Sequence, residues 1–142
     1  MIKKILIIGF GNIGFRHAES LLSENYSILV VDPQKKNFNK IPKLFKKKIT
    51  YYKNIEEINE KNFDLLISAT NSNIRYRTTI NILKKFKIKN IIFEKFVFIK
   101  ENEFHKMNEI LEEQKIKAWV NCPLRVMPVF KKIKQKLTKM II

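Results

Sequence analysis

The stretch Ile7-Ile8-Gly9-Phe10-Gly11-Asn12-Ile13-Gly14 holds every glycine of a 142-residue chain. A chain that uses glycine nowhere else uses it here for backbone geometry. The window follows the apolar run Ile5-Leu6-Ile7-Ile8 and opens into His17–Glu24, which reads as a helix. Strand, glycine turn and helix in this order form a dinucleotide-binding unit. In it Gly9 permits the tight turn, Gly11 lets the backbone approach a pyrophosphate, and Gly14 lets the helix pack on the strand. The helix N-terminus then offers free N–H groups and a partial positive charge to the phosphates. The glycine pattern alone is a weak signal, and its context strengthens it. Asp32 ends the next strand, Ser27–Asp32, 18 residues after Gly14. An acid that binds the ribose hydroxyls is expected at about 20 residues.

The rest of the chain alternates strand and helix, which implies parallel pairing through right-handed crossovers. Strands are expected at Lys3–Ile8, Ser27–Asp32, Ile49–Tyr52, Asp64–Ala69, Asn90–Glu94 and Lys117–Asn121, and helices at Asn12–Ser23, Ile55–Glu60, Ile74–Phe86, Glu101–Gln114 and Met127–Leu137. Asn54 before Glu56 and Glu57 reads as a helix cap. The basic segment Pro33–Lys48 reads as a loop or short helix over the adenosine side. The fold class is α/β, a doubly wound parallel sheet (Rossmann fold) in a single domain, with its crevice outside the carboxyl ends of the strands.

Composition bounds the partners. The formal net charge of +16 could mark nucleic-acid binding. Lysine supplies 25 of the 29 cations, however, and Arg occurs only at 16, 75, 77 and 125. Abundant Lys, Ile, Asn and Phe with scarce Gly, Ala and Arg is the pattern of AT-rich coding DNA. Nucleic-acid readers lean on Arg and exposed aromatics, so the charge is read as compositional, with a secondary pull on anionic ligands. No apolar run approaches the roughly 20 residues that span a membrane. The N-terminus reads as a buried strand rather than a signal peptide, which predicts a cytoplasmic protein. The lone Cys122 fits a reducing compartment and reads as a buried structural thiol. His17 and His105 lie far apart, so no metal site is expected. Trp119 falls at core spacing. The last helix ends in a bare Met140-Ile141-Ile142, which suggests that more protein once followed or that a partner or oligomer covers this end.

In order, the chain reads GFGNIGFRH, VVDP, ISATNSNIRYR, IIFEKFVF and VNCPLRVMPVFKKIK. Across nearly its whole length it resembles the N-terminal domain of the Gfo/Idh/MocA family of NAD(P)-dependent oxidoreductases. The resemblance implies an NAD(P)-binding Rossmann domain over residues 1–122. Residues 123–142 then form a linker helix toward a second domain that this chain lacks. It also implies that Gly9, Gly11 and Gly14 form the phosphate turn, with Asn12 and Ile13 giving backbone N–H groups. Arg16 and His17 match an Arg-His pair on the first helix, for which simple surface polarity is the alternative. Asp32 takes the adenosine ribose hydroxyls and favours NAD over NADP, a preference that Lys35 and Lys36 could soften. Thr70 and Asn71 match the turn beside the nicotinamide ribose, where Arg75 falls near the position of a family histidine. Glu94-Lys95 matches the start of a Glu-Lys-Pro motif in which Phe96 replaces the proline. Lys95 is the implied catalytic group beside the nicotinamide and the substrate hydroxyl, and its plain alternative is one more surface lysine. Asn121, Arg125 and Pro128 match a later Asn…Arg…Pro stretch, with Arg125 directed at cofactor or substrate.

The expected activity is hydride transfer between a nicotinamide cofactor and a sugar, cyclitol or related small carbohydrate-like substrate. The alternative is a noncatalytic or truncated dinucleotide-binding module. A basic nucleic-acid-binding protein ranks last.

Overall fold

The computed structural model of the chain describes residues 3–125 and 127–140, without the side chains of Arg125 and residues 138–140. Its strands are β1 (Lys3–Ile8), β2 (Tyr26–Val31), β3 (Ile49–Tyr52), β4 (Asn62–Phe63), β5 (Leu65–Ser68), β6 (Lys87–Ile88), β7 (Asn90–Glu94) and β8 (Lys117–Asn121). Its helices are α1 (Asn12–Leu21), α2 (Ser72–Lys85), α3 (Glu101–Glu113) and α4 (Pro128–Met140). The main sheet runs β3-β2-β1-β5-β7-β8 with every pairing parallel. The order reverses between β1 and β5, and a ligand crevice belongs at such a switch point.

The apolar run in β1 is continuous because both of its faces are covered. Ile5 and Ile7 point into a cluster with Ala18 and Leu22, beside Ile28, Val30 and Ile67. Leu6 and Ile8 point the other way, into a cluster with Leu29, Leu66, Ile82, Phe93 and Met107. Leu6 and Leu66 are fully buried, each contributing about 1.5–3 kcal/mol relative to exposure. Asp64 fastens the entry to β5. Its carboxylate accepts the Lys4 N–H at 3.0 Å and the Lys89 ammonium at 2.7 Å.

Four expectations need correction. The helix expected at Ile55–Glu60 is a single 3-10 turn, Ile55–Glu57. Ile58 leaves it in an extended conformation because its side chain is drawn into the core, where it is 2% exposed. So short a segment gains too little to nucleate an α-helix. Asn54 does not cap it and instead donates from Nδ2 to Glu57 Oε1 at 3.2 Å. Trp119 is the third. It lies on the edge strand β8, which has a neighbouring strand on one side only, and it is 53% exposed. Cys122 is only partly buried. The short pairing of β4 with β6, absent from the sequence reading, runs just ahead of β5 and β7.

The end of α3 shows how little glycine this chain uses. Lys115 takes a φ of 56° there, a left-handed position that glycine usually fills. Gly9, with a φ of 83°, is the glycine with a comparable need.

Candidate functional site

The glycine turn joins β1 to α1 and is tied into the sheet on both sides. Gly9 N–H donates to Val31 O at 2.9 Å, and Ala69 N–H donates to Ile8 O at 2.8 Å. A Cβ on Gly9 would lie 2.6 Å from Thr70 N, so the β5 turn closes over it. A Cβ on Gly11 would meet nothing within 4 Å. Gly11 is the N-cap of α1, and no side chain caps that helix. The first-turn N–H groups of a helix have no intrahelical partner, so this end of Asn12, Ile13 and Gly14 suits an anion. Ile13 stays 52% exposed beside it.

Asp32 stands just past β2 and is held by backbone. Its Oδ2 accepts Phe10 N–H at 2.6 Å and its Oδ1 accepts Gln34 N–H at 2.7 Å. An ionised carboxylate has about four acceptor sites, so capacity remains for ribose hydroxyls. Tyr51 donates its hydroxyl to Asp32 O at 2.5 Å. Burial, and then the charge of Asp32, push the Tyr51 phenol upward. Lys35 lies over the rings of Phe38 and Tyr51, at 5.6 and 5.4 Å from their centroids.

A cavity of about 620 Å³ brings Gly9, Gly11, Asp32, Thr70 and Asn71 together. Its other walls include Lys53, Asn54 and Ile55 after β3, and Ile74, Thr78 and Asn81 on α2. Sequence reasoning missed these. Their one available signal was the helical spacing of 74, 78 and 81, which put one face of α2 toward the crevice. Asn71 is the N-cap of α2 and makes no side-chain cap bond, so a second uncapped helix end opens here.

Glu94 and Lys95 lie outside that cavity's lining, at the end of β7. Glu94 is 6% exposed. Its Oε1 receives His17 Nε2 at 2.6 Å and Asn121 Nδ2 at 2.5 Å. Helix α1 and strands β7 and β8 thus meet on one carboxylate, as buried charge requires. Lys95 next to it is exposed. Arg16 pairs with Glu19 on the helix surface at 2.7 Å, 73% exposed, in keeping with surface polarity. Arg125 ends a short 3-10 turn, Pro123–Arg125, and the role expected of its side chain lies outside the described residues.

Arg75 is the residue whose weight the sequence understated. It is 3% exposed on the first turn of α2. Its Nη1 donates to the carbonyls of Glu94 and Phe96, and to Val97 O at 3.2 Å, while Nη2 donates to Thr70 O. Burial lowers the pKa of this guanidinium and the Glu94 charge opposes that shift. An arginine remains protonated regardless.

Residues 3–122 match the model of the GFO_IDH_MocA family, described as an oxidoreductase family with an NAD-binding Rossmann fold. The chain belongs to this family. No curated protein matches its sequence. Solved structures share the fold at low identity. Myo-inositol 2-dehydrogenase from Lactobacillus plantarum is 16% identical with a TM-score of 0.79, over 98% of this chain and 42% of that one. The WlbA dehydrogenase of Chromobacterium violaceum, solved with NADH and UDP-GlcNAcA, is 14% identical with a TM-score of 0.79, over 97% and 40%. A super-repressor mutant of Gal80p from Saccharomyces cerevisiae is 14% identical with a TM-score of 0.80, over 98% and 39%. The chain spans about two-fifths of the length of these solved structures. No helix of the described residues is long and apolar enough to cross a membrane. No metal-binding cluster of His, Cys, Asp or Glu occurs among them.

Proposed function

We propose that residues 1–122 bind NAD and act as the cofactor half of an oxidoreductase that interconverts a hydroxyl and a carbonyl on a sugar, cyclitol or related small metabolite. The observation that carries this reading is Gly11. Its missing side chain leaves open space at the uncapped start of α1, on the wall of a cavity that also holds Asp32. Gly9, Gly11 and the first-turn N–H groups of Asn12, Ile13 and Gly14 would hold the pyrophosphate. Asp32 would hold the adenosine ribose, and Thr70 and Asn71 the nicotinamide ribose. A carboxylate at the ribose disfavours a 2′-phosphate, so NAD is preferred over NADP. Lys35, engaged with two rings, is the group that could relax that preference.

A bound nicotinamide supplies or accepts the hydride. Lys95, exposed at the end of β7, gives the substrate oxygen its proton or takes it, and its positive charge favours a developing alkoxide. Glu94 supports it from beside the cofactor, and the resemblance to the family assigns Arg125 to cofactor or substrate. Residues 123–142 link to a second domain or a partner subunit. That unit covers Trp119 and Val120 of β8 and the exposed Val129, Phe130, Ile133 and Leu137 of α4. The assignment is to a cytoplasmic enzyme, with no role for nucleic acid.

A noncatalytic dinucleotide-binding module is the second reading. What favours it is Phe96, which stands where the family motif has a proline and is 82% exposed directly after Lys95, so no proline ring fixes the backbone there. Calorimetric titration with NADH and with NADPH tests the cofactor assignment. NADH should bind more tightly, and Asp32→Ala should narrow the gap between the two. A folded chain that binds neither sinks both readings. Turnover on a panel of sugars and cyclitols, lost in Lys95→Ala with NADH affinity retained, separates the enzyme from the module.

A further inference from the structure

We propose that Arg75 is a positioning residue of this site, a guanidinium strut that joins the Thr70-Asn71 turn to the Lys95 turn so that both move as one body. It rests on the reading that these turns flank the nicotinamide.

The argument begins with the carbonyls. Strands β5 and β7 are neighbours up to the pair Ser68 and Phe93; β5 ends at Ser68, and β7 ends one residue further on at Glu94, which pairs only with Asn121 of β8. Beyond these ends the carbonyls of Thr70, Phe96 and Val97 lie outside the strands and need donors from elsewhere. Arg75 supplies them from a third element, the first turn of α2, reaching Thr70 on one side and Glu94, Phe96 and Val97 on the other. Both terminal nitrogens are engaged, and Nε is a buried atom without a hydrogen-bond partner. The fork is therefore oriented toward the two turns, and helix packing does not account for it. Phe96 does little for the Lys95 turn, since its ring is in solvent.

Arginine is the side chain this geometry needs. Its planar guanidinium presents donors in a fixed fork, whereas a lysine ammonium is one point with rotatable donors. Held this way, the Lys95 backbone keeps its register with Thr70, and a misplacement of about 1 Å in such a site can cost 100-fold in function. Glu94 is fastened from the opposite side by His17 and Asn121, so the segment that carries Lys95 is gripped through both its carbonyls and its carboxylate.

The test compares NADH with ADP, which lacks both the nicotinamide and its ribose, on the wild type, Arg75→Lys and Arg75→Met. NADH affinity should fall about tenfold or more in the variants while ADP stays within about twofold. Phe96→Pro, whose ring fixes the backbone after Lys95, should recover part of the loss in the Arg75→Lys background. Parallel weakening of both ligands, or no change in either, overturns the proposal. Wild-type protein that binds neither ligand overturns the cofactor reading instead. The strut is then judged by hydrogen exchange alone. In Arg75→Lys the amides of 70–74 and 95–98 should lose protection together while those of β1 keep theirs. Loosening of one turn only, or of the whole sheet, overturns it.

Discussion

A Cβ on Gly14 would lie 2.0 Å from the carbonyl oxygen of Gly9. The first helix rests directly on the turn that precedes it, and the contact is backbone on backbone, so nothing flexible can give way. Gly14→Ala should therefore cost about 3 kcal/mol, at the upper end of overpacking, read as a drop in denaturant midpoint. Gly11→Ala should stay within about 1 kcal/mol of the parent, because its Cβ enters empty space. It should nevertheless weaken NADH binding at least tenfold. Equal stability losses in the two variants would show that the open space at Gly11 does not exist in solution.

The Glu94 carboxylate is buried with two partners. His17→Ala and Asn121→Ala should each destabilise the domain by about 1.5–3 kcal/mol, the range for a hydrogen bond to a charged group. The double variant should differ from the sum of the two, because they share one oxygen. Additivity in urea melts would mean that the two contacts are independent.

Acid should unfasten the opposite end of the sheet. Asp64 sits below the ordinary carboxylate range, first through its bond to Lys89 and next through the Lys4 N–H. Glu60 is lowered chiefly by its bond to Lys4. A carboxyl whose folded pKa is depressed contributes its full stability above the unfolded pKa and loses it as pH falls through the folded one. Stability should thus hold down to about pH 5 and decline below about pH 4. Asp64→Asn should be less stable at neutral pH and flatten that decline. A wild-type urea midpoint constant from pH 5 to pH 2 would contradict this.

The sheet was legible because its signals are local. Ile5–Ile8 reads as a strand buried on both faces, Gly9, Gly11 and Gly14 as the turn, and Asp32 falls at a fixed distance, all without tertiary knowledge. The strands at Lys3–Ile8, Ile49–Tyr52, Asn90–Glu94 and Lys117–Asn121 have the bounds expected of them. What failed depended on neighbours. Ile58 leaves its expected helix for a core position that only the folded sheet creates. Trp119 has a core residue's spacing but sits on an edge strand, and strand order is not written in periodicity. Resemblance places Arg75 near a family histidine, but nothing local marks it as buried. Its burial follows from where the carbonyls of Thr70, Glu94, Phe96 and Val97 converge, and no local pattern encodes that.

The partners of Glu94 lie at nearly opposite ends of the chain, at positions 17 and 121. At a synthesis rate of about 5–20 residues per second, Asn121 is made roughly 5–20 s after His17. For that interval a nascent chain can pair β1, β2 and β3 and assemble most of the cluster around Ala18 and Leu22, while His17 waits for the Glu94 carboxylate, made 77 residues after it, and then for Asn121. The adenosine half is thus the early product of the ribosome and the Lys95 half the late one.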